Sequence, residues 1–114
     1  MKEKSLKYLS DVKIAINLIE EFTYGISDFN VFEKDLKTQS AVERQLGIIG
    51  EAINQFKKLE PHIQVNNDKQ IVAFRNRIVH AYDSLDNSIV WAILINHIRP
   101  LKLEIAMIIE RESD

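Results

Sequence analysis

The segment TQSAVERQLGIIGEAINQFKKL, residues Thr38–Leu59, gives the clearest indication of the fold class. Its apolar stripe, spaced by four and three residues, is Val42, Leu46, Ile49, Ile53 and Phe56. Such spacing places the side chains along one face of a helix, against a core. The stretch therefore predicts one long amphipathic helix. Ser40 and Glu43 would form a capping box if the helix starts late, and Pro61 ends it because the residue before a proline resists helical angles.

The segment before this helix predicts another helix and a short helical turn. The helix runs from about Lys4 to Tyr24, and Gly25 follows it at a position suited to a left-handed residue that stops a helix. Its apolar stripe is Tyr8, Val12, Ala15, Ile19 and Phe22. Ser27 and Asp28 can cap the turn. The turn carries Phe29 and Phe32.

The segment after Pro61 predicts a loop from His62 to Asp68 and then a third long helix from about Lys69 to Tyr82. The side chains expected to be buried on this helix are Ile71, Phe74, Ile78 and Ala81. A polar turn from Asp83 to Asp86 follows it. These elements together indicate short connections between helices.

The last predicted helix starts near Asn87 and contains Pro100. We expect a kink or a break there, because proline removes one backbone hydrogen bond and pushes against the carbonyl of Asn96. Its main stripe is Val90, Leu94, His97, Leu101, Ile105 and Ile108, and its further apolar residues are Ile89, Trp91, Ile93, Ile95 and Ile98. In this row His97 is expected at the core or an interface rather than in catalysis. The sequence thus predicts an all-α, antiparallel four- to five-helix bundle. The second apolar surface indicates a homodimer, unless this helix is the central one of a monomer.

Composition narrows the classes of function. A chain of 114 residues fits one domain, 1–114, and with no cysteine it has no disulfide, thiolate metal site or cysteine nucleophile. No Glu-x-x-His pair or glycine-rich phosphate loop is present, so neither a metal nor a cofactor is expected. Nothing resembles a signal peptide or a membrane span, which predicts a cytoplasmic protein. The net charge of −2 means that any nucleic-acid contact must come from a local patch.

The segment FRNRIVHAY, residues 74–82, gathers the groups that suggest chemistry. Arg75 and Arg77 can grip phosphate oxygens, and Asn76 adds an amide. His80 can accept or donate a proton near neutral pH, and Tyr82 adds a phenol. Together they suit a reaction in which a phosphodiester gains negative charge while a proton moves. RNA carries its own nucleophile, the 2′-hydroxyl, so such a site needs no metal.

Helical spacing leaves the geometry of this site open. Asn76 and His80 share one face of an ideal helix, Arg75 is rotated away from His80, and Arg77 is better placed by periodicity. Either Arg75 reaches round, or the helix loosens near His80, or two subunits share the site. Alternatively, the arginines form surface ion pairs and His80 fills a helix end. Glu51 could pair with Arg75 or Arg77 from the neighbouring helix, or be solvated.

Over nearly its whole length the chain resembles the HepT-like toxins of the HEPN superfamily. The carrying motif is R-N-x-x-x-H-x-Y, formed by Arg75, Asn76, His80 and Tyr82. Further similarity lies in residues 41–44 and 48–52, in Trp91 and in Pro100. The resemblance implies a metal-independent endoribonuclease, working as a homodimer, that leaves a 2′,3′-cyclic phosphate and a 5′-hydroxyl.

The resemblance also implies roles for individual residues. Arg75 would bind the scissile phosphate, His80 would act as general base or general acid, and Asn76 would orient the phosphate or the imidazole. The chain would be the toxin of a toxin–antitoxin pair, neutralised by an MNT-type nucleotidyltransferase that transfers AMP to Tyr82. Otherwise Tyr82 is an aromatic residue that packs at a helix end. Two rival interpretations are a non-catalytic HEPN module that binds a nucleotide or accompanies the nucleotidyltransferase, and a structural helical dimer without a site.

Overall fold

The computed structural model of the protein describes residues 1–80 and 86–112, with the backbone alone for Val79 and His80. Every regular element in these ranges is an α-helix, which confirms the predicted all-α class. The helices are α1 (Glu3–Phe22), α2 (Phe29–Lys34), α3 (Leu36–Leu59), α4 (Asp68–His80), α5 (Asn87–Asn96) and α6 (Ile98–Glu112). They exceed the predicted number because the short turn forms α2 and the last helix is divided in two. None of these helices is both long enough and apolar enough to cross a membrane.

The core lies mainly between α1, α3 and α6. α1 and α3 run antiparallel, as shown by the hydrogen bond between Ser5 near the start of α1 and Glu60 just after the end of α3. α6 returns along α1, and Lys102 Nζ lies 2.7 Å from Glu20 Oε1. The predicted stripe of α3 is buried along its whole length. The apolar residues with no exposed surface are Leu9, Val12, Ile16, Phe32, Val42, Ile53 and Phe56.

Two aspartates determine where α2 and α3 begin. Asp28 caps α2, as predicted, by accepting the backbone N–H two residues further on at 2.8 Å. Asp35 caps α3 by accepting from the backbone N–H and the hydroxyl of Thr38, at 3.0 and 2.7 Å. α3 therefore begins at residue 36, before the predicted Thr38. The capping box of Ser40 with Glu43 is wrong, because Ser40 lies inside the helix.

The last predicted helix is broken into α5 and α6 at His97. A continuous helix would need an N–H at position 100 to bond the carbonyl of Asn96, and proline has none. Pro100 lies instead in the first turn of α6, where N–H groups have no intrahelical partner. The predicted break is thus confirmed. It also leaves the His97 side chain exposed, so the predicted core position of His97 is wrong, whereas its place at an interface stays a prediction.

Three aromatic rings fasten α2 to α5. The ring of Trp91 lies 6.3 Å from that of Phe29 and 5.4 Å from that of Phe32, between centroids. α2 has only six residues, too few to be stable as an isolated helix. Its place in the fold therefore depends on this packing and on its Asp28 cap.

The carboxylate of Glu60 joins the end of α3 to the start of α1. Its Oε2 accepts hydrogen bonds from the Ser5 hydroxyl at 2.6 Å and from the Lys2 backbone N–H at 2.8 Å. The Glu60 side chain is only 5% exposed. The hydrogen bonds from Ser5 and Lys2 outweigh the effect of burial and hold the pKa of Glu60 below its usual value. Its negative charge also complements the dipole at the start of α1.

Candidate active site

The described part of the predicted site lies on α4, which packs antiparallel against α3. Ile78 lies at the level of Gly47, and Arg75 at the level of Gly50. Asp68, the first residue of α4, places a negative charge at the positive end of the helix dipole. The apolar side chains of α4, which were predicted to be buried, are only half-buried: Ile71, Phe74 and Ile78. α4 thus rests on the bundle along one side and leaves its other side open.

Gly50 brings the backbones of α3 and α4 close together beside Arg75. A Cβ atom at position 50 would overlap Cβ of Arg75 and would lie 2.8 Å from its Cγ and 3.2 Å from the carbonyl oxygen of Ile71. At Gly47 the nearest such atom is Cγ2 of Ile78 at 3.8 Å, an ordinary contact. Sequence reasoning gave Gly50 no role. The available signal was a glycine inside a helical pattern, which costs about 1 kcal/mol relative to alanine and so indicates a packing reason.

The guanidinium of Arg75 is held by two neighbours. Its Nη2 donates to Oε2 of Glu51 on α3 in an ion pair, and its Nη1 donates to Oδ1 of Asn76 at 2.6 Å. The Arg75 side chain is 25% exposed, so it is anchored yet still reachable. Of the arrangements considered for Glu51, the structure shows the ion pair with Arg75.

Glu51 is itself oriented by its own helix. Nε2 of Gln55 donates to Oε1 of Glu51 at 2.9 Å, while the other carboxylate oxygen faces Arg75. The pKa of Glu51 is lowered, chiefly by the hydrogen bond from Gln55 and then by Arg75 and Lys58. Burial acts in the opposite direction, but it is outweighed. The carboxylate is therefore negative at neutral pH and fixes the cationic guanidinium from the α3 side.

Arg77 is separated from this group. Positions two apart on a helix are rotated by about 200°, so Arg77 points away from Arg75. Arg77 is exposed, and it is close enough to Asp86 to lower its pKa. The pKa of Asp86 is lowered chiefly by hydrogen bonds from Ser88, with Arg77 adding a smaller effect. The structure therefore brings together Arg75 and Asn76 but not Arg77.

For the two remaining residues of the motif, His80 and Tyr82, the structure describes no side chain. Within the described residues α4 runs to His80, five residues after Arg75. The His80 side chain and Tyr82 lie outside the described residues, as do Ala81 and most of the predicted turn after Tyr82. The contact between Arg75 and His80 therefore stays a prediction.

A shallow cleft of about 340 Å³ adjoins Asn76 on the outer side of α3 and α4. Its polar lining consists of Asn54, Lys57, Asp68, Lys69 and Asn76. Lys57 is already engaged, because its Nζ donates to the carbonyl of Ile63 at 2.6 Å and lies 3.9 Å from Asp68. Amide and ammonium donors of this kind can contact phosphate oxygens. Within the described ranges, no three His, Asp or Glu side chains lie together as they would to hold a metal ion.

A larger apolar groove of about 370 Å³ lies on the other flank of α4. α3 forms its floor, and the far wall comes from α5 and α6 around the break at His97. The apolar lining includes Leu46, Ile49, Ile71, Phe74, Ile98 and Leu101. The rim is polar and includes Asn66, Gln70, His97 and Glu104. The groove is thus an apolar surface beside the candidate site, and Arg75, Glu51 and Asn76 do not line it.

Comparison with known proteins gives a consistent result. Residues 12–108 match the family described as "Ribonuclease HepT-like". A "Probable ribonuclease HepT" from Thermococcus cleftensis is 42% identical over 106 residues, which cover 90% of this chain and 93% of that protein. A putative RNase from Methanocaldococcus jannaschii is 31% identical over 113 residues, 95% of this chain and 100% of the relative.

A further relative carries the same description. A putative RNase from Caldanaerobacter subterraneus subsp. tengcongensis is 31% identical over 108 residues, covering 93% of this chain and 95% of the relative. No solved structure gives a significant match. The similarity therefore extends over nearly the whole length of this chain and of these relatives.

Proposed function

The chain belongs to the HepT-like ribonuclease family, and we propose that it is an endoribonuclease that cleaves RNA through Arg75, Asn76 and His80. The observation that carries the proposal is the setting of Arg75. Its guanidinium is fixed by Glu51 and Asn76, its side chain is 25% exposed, and it stands on α4 five residues before His80. Relatives named as ribonucleases support RNA as the substrate.

The proposed reaction is an internal transfer at one RNA phosphate. The 2′-oxygen attacks phosphorus and loses its proton, while the bond to the 5′-oxygen breaks and that oxygen gains a proton. The products are a 2′,3′-cyclic phosphate and a 5′-hydroxyl. Arg75 neutralises the charge that builds up on the phosphoryl oxygens. His80 moves a proton, as base or as acid, and Asn76 orients the phosphate or the imidazole. The nucleophile belongs to the RNA, so this scheme uses no metal ion.

Growth inhibition in cells tests the residues of this site. We expect Arg75→Ala and His80→Ala each to abolish toxicity while the circular dichroism spectrum stays that of the wild type. Matched controls are Arg44→Ala, an exposed arginine on α3, and His62→Ala, a histidine whose side chain is 73% exposed. The controls should remain toxic. A folded His80→Ala variant that still stops growth would overturn the catalytic assignment.

We further propose that the chain is the toxin of a toxin–antitoxin pair, and that an MNT-type nucleotidyltransferase neutralises it at Tyr82. The tyrosine hydroxyl would displace pyrophosphate from ATP and form a phosphodiester with AMP. Support comes from the position of Tyr82, two residues after His80, because AMP there adds bulk and negative charge where an RNA phosphate must bind.

The test of this regulation is co-expression with the nucleotidyltransferase, followed by mass spectrometry. We expect an added AMP on the Tyr82 peptide of the wild type. Tyr82→Phe should stay toxic, carry no AMP and escape neutralisation. AMP found on a different residue would refute the role of Tyr82.

We also propose that the protein works as a homodimer. Support comes from the open apolar groove beside α4 and from apolar side chains exposed on α5 and α6. Ile95, Leu103 and Met107 are 59%, 58% and 64% exposed. Contiguous apolar surface such as this groove is often an interface.

The alternative function is a non-catalytic module that binds a nucleotide or the nucleotidyltransferase. One observation favours it: both terminal nitrogens of Arg75 already have protein partners. The net charge of −2 is also unusual for a protein that binds RNA broadly. Unmodified protein that binds nucleotide but cleaves no RNA would support this alternative.

A further inference from the structure

Gly50 occupies the point where α3 and α4 approach each other beside Arg75. A Cβ atom there would overlap Cβ of Arg75 and lie 2.8 Å from Cγ. The third neighbour is the carbonyl oxygen of Ile71, at 3.2 Å. These atoms belong to the backbone or to the base of a side chain, so they cannot swing aside as the end of a flexible side chain can.

We propose that Gly50 is a positioning residue of the active site, whose missing side chain lets α4 come close enough to α3 for Arg75 to reach Glu51. This inference rests on the proposed function only in taking Arg75 as catalytic. Gly50 does not touch the substrate in this account. It acts through the place that it gives to Arg75.

The consequence of a side chain at position 50 follows from the two ends of the ion pair. Glu51 stays with α3, because Gln55 on the same helix holds its carboxylate. Arg75 moves with α4, because the atoms that clash are its own Cβ and Cγ. Any residue larger than glycine therefore moves one partner and leaves the other in place. The guanidinium loses Glu51, and the phosphate-binding end of Arg75 shifts.

Gly47 provides a matched control. It lies on the same helix, one turn earlier, and also faces α4. A Cβ atom there meets Ile78 Cγ2 at 3.8 Å, which is an ordinary contact. Gly50→Ala and Gly47→Ala make the same chemical change with the same gain in helix propensity. They differ in what the new methyl group touches.

The first measurement is the rate of RNA cleavage by both folded variants. We expect kcat of Gly50→Ala to fall about a hundredfold, since a displacement near 1 Å can cost that much, with a smaller change in KM. Gly47→Ala should stay within about twofold of the wild type, because its new methyl group makes only a normal contact. A merely structural role would reduce the amount of folded protein but leave kcat per folded molecule unchanged, and that result would overturn the proposal.

The second measurement does not depend on cleavage. NMR titration of the Glu51 carboxyl carbon reports whether Arg75 is beside it, because Arg75 is one of the groups that lower the pKa of Glu51. We expect this pKa to rise in Gly50→Ala and to stay unchanged in Gly47→Ala. If the wild type cleaves no RNA but the Glu51 pKa still differs in this way between the two variants, the proposed function is refuted and the positioning role is kept. An unchanged Glu51 pKa in Gly50→Ala would overturn the positioning role whatever the activity.

A second variant covers the case in which Gly50→Ala does not fold. Gly50→Ala combined with Arg75→Gly removes both side-chain carbons that the new methyl group would meet. We expect this double variant to recover folding lost in Gly50→Ala, because only the contact of 3.2 Å with the carbonyl oxygen of Ile71 remains. A double variant that stays unfolded would refute the assignment of the close contact to Arg75.

Discussion

Arg75 and Glu51 form an ion pair that is partly open to water on both sides. Their side chains are 25% and 43% exposed, respectively. Pairs exposed to this degree contribute about 0–1 kcal/mol to stability, because water and side-chain entropy offset the attraction. The pair is therefore better explained by orientation than by stability. It fixes the direction of a guanidinium that has to meet a phosphate.

If the ion pair orients Arg75 rather than stabilising the fold, Glu51→Gln should affect activity more than stability. Glutamine can still accept one hydrogen bond from Arg75 but brings no negative charge, so Arg75 is held less firmly. We expect kcat/KM for RNA cleavage to fall roughly tenfold, while the free energy of unfolding changes by less than about 1 kcal/mol. Urea denaturation and cleavage kinetics check the two parts. The control is Glu43→Gln, two turns earlier on α3. Cleavage by Glu51→Gln at the wild-type rate would contradict the orienting role.

At the residue scale, the sequence suggests which residues form the candidate site but not how they are arranged. Arg75 and Asn76 could be predicted because neighbouring residues of suitable chemistry stand on one segment. The choice between Arg75 and Arg77 as partner of Glu51 could not be made, because it depends on how α3 and α4 are rotated against each other. Gly50 shows the same limit. A glycine in a helix indicates close packing, but only the structure names Arg75 as its neighbour.

The helices α1 and α3 are joined at their ends by a buried carboxylate. Glu60 follows α3 directly and accepts hydrogen bonds from Ser5 and from the Lys2 backbone at the start of α1. These bonds lower the pKa of Glu60 in the folded state. At pH values above the pKa that Glu60 has in the unfolded chain, the stabilising contribution of its ionised carboxylate is therefore fully present. The contribution is lost as the pH falls through the lower, folded-state pKa.

We therefore predict that Glu60→Gln is less stable than the wild type at neutral pH, and that the difference shrinks as the pH falls below about 4. The measured quantity is the difference in unfolding free energy between the two proteins at each pH, because other carboxylates titrate in both. Glu3→Gln serves as the control for the helix-dipole effect alone, because Glu3 is exposed and stands in the first turn of α1. A difference that is independent of pH would show that the charge of Glu60 is not what joins the helices.

At the element scale, most helices could be predicted from apolar spacing, and the errors lie where that signal ends. α3 begins earlier than predicted because Asp35 caps it, and the first helical residue, Leu36, is 72% exposed and adds nothing to the stripe. The break near Pro100 was predicted from the missing N–H. Its effect on His97 was not, since a continuous stripe assumes a continuous helix.

At the scale of the whole molecule, apolar surface remains uncovered beside the candidate site. The groove between α4 and the α5–α6 break has a floor of Leu46 and Ile49 and holds about 370 Å³. Ile95, which lies two positions from the groove residues Ile93 and His97 and so on a different face of α5, is a further exposed apolar side chain. We expect a second copy of the chain to cover this region, as proposed above.

A pair of substitutions tests that dimer. We predict that Ile95→Glu lowers the mass seen by analytical ultracentrifugation from dimer to monomer, because a charge in an apolar interface is costly to bury. Ile14→Glu is the matched control, since Ile14 on α1 is 58% exposed and Ile95 is 59% exposed. The control should remain dimeric. Wild-type protein that sediments as a monomer at micromolar concentration would contradict the dimer itself.

The most direct test of the account is RNA cleavage by purified protein in the presence of EDTA, comparing the wild type with His80→Ala. Total cellular RNA is the substrate, and mass spectrometry first establishes that the protein carries no AMP. We predict cleavage by the wild type, new ends with a 2′,3′-cyclic phosphate and a 5′-hydroxyl, and no cleavage by His80→Ala. Intact RNA with the unmodified wild type, or equal cleavage by His80→Ala, would contradict the central claim.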